Sequence, residues 1–246
     1  MGLLKRTAKL IAWLITGAVV LAVVAGTAVA GVFAWKGYNM YCDAVEQTPV
    51  ADKIASIQQT EGYVYYDELP AIYIDAVISV EDKRFFSHGG VDPLAIVRAA
   101  FNDLRTLSFV EGGSTITQQI AKNEYFTQEK KMERKFAEVF VAFDLEAACT
   151  KEEIFEMYVN TIYFGSGYYG IREAAMGYYG VEPSELTDWQ SVMLAGLPNA
   201  PSAYSPDVSP ELATQRMAQV LDRMVECKRI TSAEADALLA EQAAEN

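Results

Sequence analysis

The sequence predicts a mainly α-helical protein, with an N-terminal transmembrane helix followed by one helical domain outside the membrane. Three observations carry this expectation. Leu10 through Ala34 is a run of 25 residues without a charge, enough to cross a hydrocarbon layer of roughly 30 Å with some tilt. Most of the remaining chain sets apolar residues at helical spacing between short polar breaks. The 246 residues can bury a real core, and the connections between candidate helices are too short to separate a second independent domain.

The N-terminal part divides into a cytoplasmic tail at 1–9, a signal-anchor helix at 10–35 and a membrane-proximal stalk at 36–62. Lys5, Arg6 and Lys9 precede the apolar run and only Lys36 closely follows it, so the positive-inside bias puts the N-terminus in the cytoplasm and the rest outside. A signal peptide cleaved after Ala28-Val29-Ala30 is the competing reading. The length of the run and a tryptophan at each end, Trp13 and Trp35, favour a retained anchor.

Charge separates along the same boundary. The whole chain has a formal charge of −13, but its first 36 residues hold four basic side chains and no acid, which leaves 16 basic against 33 acidic residues and −17 outside. Such a surface argues against nucleic acid as a partner, because phosphate contacts need concentrated Lys and Arg. Cations gathered in an exported pocket would stand out against that background. Cys42, Cys149 and Cys227 show neither metal-ligand spacing nor a complete disulfide framework.

Beyond the anchor, Thr48-Pro49 breaks the chain and Ala51 to Ile57 has periodicity for one short helix. Gly62 to Leu69 reads as a short strand or extended lead-in before Pro70. Ile72, Ile74, Ala76, Val77 and Val80 give a helix ending at Glu81, and Pro93 to Leu104 gives the next after Gly89-Gly90. Long polar connections are expected at 86–92 and 105–128. Helices then follow at Glu129–Glu146, Lys151–Ile162, Gly170–Tyr179, Ser184–Leu197 with Ser184 as cap, Pro210–Arg229 and Thr231–Glu241. The globular domain is bounded at 63–230, with a C-terminal helix and tail at 231–246.

Three constellations can carry chemistry. Glu81-Asp82-Lys83-Arg84-Phe85-Phe86-Ser87-His88-Gly89-Gly90 puts two adjacent acids at the end of an apolar helix, before the single histidine. A carboxyl leaving an apolar face has a raised pKa and suits proton abstraction from a hydroxyl; an ordinary acidic helix end would have the same sequence. Gly112-Gly113-Ser114-Thr115-Ile116-Thr117-Gln118-Gln119-Ile120-Ala121-Lys122-Asn123 combines permissive glycines, hydroxyls and amides for an oxygen-rich ligand, and a lysine for an anion. It lacks the ending of a nucleotide P-loop, and polar helix capping is its plain alternative. Arg134 and Glu138 lie one helical turn apart, with Lys135 three residues before Glu138. This is a surface ion-pair ladder or, beside Lys122, a site for two phosphates.

In order and spacing these residues resemble the peptidoglycan glycosyltransferases of glycosyltransferase family 51. The resemblance runs from about residue 70 to 225. It includes Glu81-Asp82, Phe85, His88, Gly90, Gly112 to Asn123, Arg134, Lys135, Glu138, Ala142 and Glu146. It continues through Lys151, Glu156, Asn160, Phe164-Gly165 and Leu194-Ala195-Gly196-Leu197-Pro198. One departure is Gln190, where the closing motif usually has Glu. Nothing of transpeptidase size follows residue 225, so the resemblance implies the monofunctional, membrane-anchored biosynthetic transglycosylase form.

The resemblance implies a lysozyme-like helical domain against the outer face of the bacterial cytoplasmic membrane. Its apolar membrane-facing region is expected within 105–128, with Phe109, Val110, Ile116 and Phe126 and no long helix before Lys122. The implied substrates are lipid II and a growing lipid-linked glycan, with other cell-wall-synthesis proteins as partners. Glu81 would take the proton from the GlcNAc 4-hydroxyl of lipid II, which attacks the donor with inversion and releases undecaprenyl pyrophosphate. Glu138 is the matching second carboxylate, ranked below Glu81 as base because cations flank it. Lys122, Arg134 and Lys135 would hold the pyrophosphate, and Ser114, Thr117, Gln118 and Asn160 would orient it or the sugars. Asp82, Phe85, His88, Gly112, Gly113, Asn123 and Glu146 would support the site. The family implies no obligatory cofactor but stimulation by Mg or Mn, and the sequence shows no metal-ligand cluster of its own. A catalytically silent scaffold and a lytic glycosidase are the competing functions.

Overall fold

The computed structural model describes residues 2–106, 113–127, 129 and 131–245. Its first element, α1 (Gly2–Gln47), is a single helix about 69 Å long at 1.5 Å per residue. It is the one helix among the described residues that is long and apolar enough to cross a membrane. From Trp13 to Trp35 its large apolar side chains are exposed, apart from the half-buried Phe33, as a lipid-facing surface requires. The two tryptophans are 22 residues apart, about 33 Å along the axis.

The expected stalk is helical as far as Gln47, and its outer turns lie against α6 (Met132–Ala148). Gly37 is what permits the approach. A Cβ there would lie 2.5 Å from Phe136 Cβ and 2.7 Å from the Glu133 carbonyl oxygen. Around this crossing Tyr38 and Tyr41 pack on Phe140, and the Tyr41 hydroxyl donates to Asp144 Oδ2 at 2.6 Å. A glycine after an apolar run suggests a break, but here it marks a helix crossing.

After Pro49 the chain forms α2 (Val50–Gln58), close to the expected short helix. The lead-in has no strand partner among the described residues. The Asn160 side chain holds Val64 through both its backbone N–H and its carbonyl, and a 3₁₀ turn follows at Tyr66–Glu68. Next come α3 (Ala71–Glu81), α4 (Pro93–Thr106) and α5 (Ile116–Tyr125). The connection expected at 105–128 is therefore interrupted by a helix that starts before Lys122. Thr115 caps it, accepting from the Gln118 N–H while Gln118 Oε1 accepts from the Thr115 N–H. Ile116, Ile120 and Ala121 are buried in the core, so Ile116 is not membrane-facing. Phe109, Val110 and Gly112 lie outside the described residues.

Downstream are α7 (Lys151–Thr161), a two-stranded hairpin of β1 (Tyr163–Gly165) and β2 (Tyr168–Tyr169), α8 (Ile171–Tyr179), α9 (Asp188–Gly196), the short α10 (Pro201–Tyr204), α11 (Pro210–Glu226) and α12 (Ser232–Glu245). Thr187, not Ser184, caps α9, because Pro183–Glu185 forms its own 3₁₀ turn. Gln190 completes that cap by accepting from the Thr187 N–H at 3.0 Å. Its neutral amide makes the contact that a glutamate would, so the departure at this position costs no hydrogen bond. The core lies where α3, α5, α7, α9 and α11 meet, around the fully buried Tyr73, Phe85, Phe155, Tyr158 and Phe164.

Candidate active site

Glu81 closes α3, and the chain leaves the helix at Asp82 in an extended conformation. The two neighbouring acids both border one cleft but have different partners. Glu81 lines a cleft of about 200 Å³ together with Lys83, Ser114, Asn199, Arg216 and Arg223. Asp82 turns inward, where Oδ1 pairs with His88 Nε2 at 2.8 Å and Oδ2 accepts from the Ile116 N–H at 3.2 Å. Asp82 thus ties the loop after α3 to the start of α5.

Burial pushes the Glu81 carboxyl above the usual range. A hydrogen bond from Gln119 Nε2 to Oε2 at 2.7 Å and the charges of Arg216 and Lys122 oppose that rise, and Asp82 adds to it. Although half-buried by exposed area, the carboxyl lies deep enough for its field to reach the fully buried Tyr73 and Tyr158. It is a proton acceptor partly stripped of water and open to the cleft on one side.

A cationic cluster stands beside it. Glu138 is buried on α6 between Lys135 Nζ at 2.8 Å and Arg134 Nε at 3.1 Å. The first contact is a hydrogen bond; the second is an ion pair without hydrogen-bond alignment. Lys135 also donates to Ser114 Oγ at 2.5 Å, and Arg134 donates to the Thr127 carbonyl at 2.9 Å. Lys122 is half-buried on α5. Burial lowers its pKa, with Glu138 opposing and Arg134 and Lys135 reinforcing the fall. Among the described residues it has neither a hydrogen bond nor an ion pair, so its ammonium remains for an anion from outside. Gln119 and Lys122 are one turn apart on α5, and this helix connects the carboxyl to the cations.

Other expected site residues are engaged elsewhere. Thr117 is buried and donates to Glu146 Oε1 at 2.6 Å, and Lys151 donates to the same oxygen at 2.7 Å. Lys151 Nζ lies 4.4 Å from the centre of the buried Phe85 ring, so Glu146 and Phe85 belong to one supporting network. Gln118 is the capping partner of Thr115, and Asn160 is taken up by Val64 and the Glu156 carbonyl. Thr117, Gln118 and Asn160 thus all make internal hydrogen bonds, Thr117 and Gln118 from buried positions and Asn160 from a half-buried one. Asn123 is exposed. Gly113 lines the cleft beside α4.

Burial alone would lower the His88 pKa, but its bonds to Asp82 and the Gly89 carbonyl override that and raise it. This is a loop support, not a free base. Gly90 lies against α6 so closely that a Cβ would come 2.8 Å from the Ala142 carbonyl carbon. Asp82, His88 and Asp92 bring potential ligand atoms within 4.8 Å of one another. They do not fit a divalent ion, because Arg84 grips both Asp92 oxygens and His88 is bonded to Asp82.

Sequence reasoning missed Gln119 and Arg216. Gln119 sits in the motif that holds Lys122 and shares its face. Arg216 comes from distant α11, donates to the Gly196 carbonyl at 3.1 Å and bears on the Glu81 charge.

Comparison with known proteins identifies the family. The sequence model of the Transglycosylase family matches residues 48–225. A Cupriavidus necator protein provisionally named a transglycosylase is 41% identical over 198 residues, covering 80% of this chain and 85% of the relative. Penicillin-binding protein 1A of Vibrio cholerae is 47% identical over 175 residues, and that of Aquifex aeolicus 46% over 173. These matches take in 71% and 70% of this chain but only 21% and 24% of the longer relatives. With a match over most of its length, this chain belongs to the transglycosylase family, of the peptidoglycan glycosyltransferase type.

Proposed function

We propose that the protein polymerises lipid II into peptidoglycan glycan strands at the outer face of a bacterial cytoplasmic membrane, with its N-terminus inside. The observation that carries this reading is a desolvated carboxyl, Glu81, bonded to Gln119 of α5, with the half-buried Lys122, which has no hydrogen bond or ion pair among the described residues, one turn further along that helix. Glycosyl transfer from a lipid pyrophosphate needs both groups, one to take a proton and one to receive a leaving anion.

In this reaction Glu81 accepts the proton of the GlcNAc 4-hydroxyl of lipid II. The freed oxygen attacks the anomeric carbon of the MurNAc unit that ends the growing lipid-linked strand. The bond from that carbon to the phosphate oxygen breaks with inversion, and its electron pair leaves on the pyrophosphate. Lys122, with Arg134 and Lys135 behind it, stabilises that charge. Glu138 holds Arg134 and Lys135 in place, which is a positioning role. Fixing both substrates in one cleft makes the attack effectively intramolecular.

The test is the full chain in detergent with lipid II, resolving glycan products and released undecaprenyl pyrophosphate. Polymer is expected; folded protein that yields none, or that instead cleaves finished glycan, would overturn the proposal. Glu81→Gln should keep binding and lose turnover. Lys122→Glu should weaken binding of the lipid pyrophosphate, and unchanged affinity would remove Lys122 from that role.

A further inference from the structure

Arg216 of α11 lines the Glu81 cleft and also borders an adjoining hollow of about 350 Å³, whose other walls are Val80, Gln219, Asp222, Arg223 and Glu226. A long side chain left loose at this edge would spend part of its time in the hollow, away from the carboxyl. Three neighbours oppose that. The Gly196 carbonyl accepts from Arg216 Nε at 3.1 Å, Gln219 Oε1 accepts from Nη1 at 3.0 Å, and Cζ lies 5.8 Å from the centre of the Tyr204 ring on α10. Gly196 suits its place because a Cβ there would come 3.0 Å from Arg216 Cγ.

We infer that Tyr204 is a positioning residue for the proposed reaction, its ring holding Arg216 against the cleft as a fixed cation without a counter-ion. The inference rests on the proposed function. A carbonyl, an amide and a ring face are all neutral, and among the described residues Arg216 has no ion pair, whereas Arg223 is paired with Glu226 at 2.6 Å. The face of an aromatic ring attracts a guanidinium without cancelling its charge. That charge therefore bears undiminished on Glu81 and favours the carboxylate that takes the hydroxyl proton. Lys122 acts in the same sense and Asp82 against it, and the buried Tyr73 and Tyr158 lie within the field of the carboxyl. Lys83, Arg98 and Asp92 also face the cleft. None of these charged groups is altered in the variants that isolate Tyr204.

The experiment follows the acid limb of kcat/KM for lipid II polymerisation by the full chain in detergent. It also follows the Glu81 titration directly, by NMR of the carboxyl carbon, which needs no turnover. Tyr204→Leu keeps apolar bulk and removes the ring face. The limb and the titration should both rise by about half a pH unit, with kcat/KM about threefold lower on that limb. Tyr204→Phe keeps the ring face and should restore the wild-type profile, a distinction that a purely structural role would not produce. Gln219→Leu, at an exposed position, removes the Nη1 bond and should move both readouts the same way. Added to Arg216→Met, Tyr204→Leu should move neither readout further, because its effect passes through the arginine.

Readouts unmoved in both Tyr204→Leu and Gln219→Leu, an equal shift in Tyr204→Phe, or a further shift in the double variant would overturn the assignment. If the Glu81 titration responds as expected in a chain that makes no polymer, the functional reading fails and the positioning of Arg216 stands. Polymer formation with an unmoved titration defeats the positioning alone.

Discussion

Replacing Gln119 with leucine removes the hydrogen bond from Nε2 to Glu81 Oε2, 2.7 Å long, and adds no polar group. That bond favours the carboxylate anion, so its loss makes Glu81 easier to protonate. A hydrogen bond to a charged group is worth about 1.5–3 kcal/mol. Water from the open cleft will replace part of it, leaving about 1.4 kcal/mol, which corresponds to about one pH unit. The acid limb of kcat/KM for lipid II polymerisation should therefore move up by about one pH unit. On that limb the rate should fall about tenfold, with a smaller loss on the alkaline plateau. The assay is polymer formation from about pH 5 to about pH 9 under kcat/KM conditions. A limb that stays in place, or moves down, would refute Glu81 as the titrating base or Gln119 as its partner.

Arg216→Met removes a second influence that favours the Glu81 anion, so its acid limb should also climb while kcat/KM falls; a lower rate with an unmoved limb would break the electrostatic link. Gly37→Leu should destabilise the docking of α1 on α6 by about 1–3 kcal/mol through overpacking, read as a lower denaturation midpoint in detergent and faster proteolysis near residue 48. An unchanged midpoint would mean the crossing is not tightly packed. Thr117→Val should cost about 1 kcal/mol of stability with KM for lipid II unchanged, because the hydroxyl serves Glu146. A raised KM without a stability loss would return Thr117 to the substrate site.

Most of the helices were legible because their apolar periodicity is strong and their caps are conventional, as at Thr150 and α7. The start of α5 was not. Thr117, Gln118 and Gln119 give its first turns the composition of a loop, and only Ile116, Ile120 and Ala121 mark the buried stripe. With the helix in place, Gln119 and Lys122 share a face, while Thr117 bonds Glu146 and Gln118 bonds Thr115. Glu81, Lys122, Arg134, Lys135 and Glu138 stood out in the sequence as charged side chains in polar or helical motifs, and α3, α5 and α6 bring them within electrostatic reach of one another. Arg216 left no local sign, since an arginine on an amphipathic helix reads as solvated surface until α11 is folded against α3.

The unbroken course of α1 from the apolar span to Gln47 carries 12 residues beyond Trp35, about 18 Å of helix. A flexible stalk would let the catalytic domain sample many heights and tilts. A helix clamped along α6 makes the apolar span and the domain one lever. Under the proposed function the cleft then stands at a set distance from the bilayer surface, and substrates confined to that bilayer meet it by diffusion in a plane.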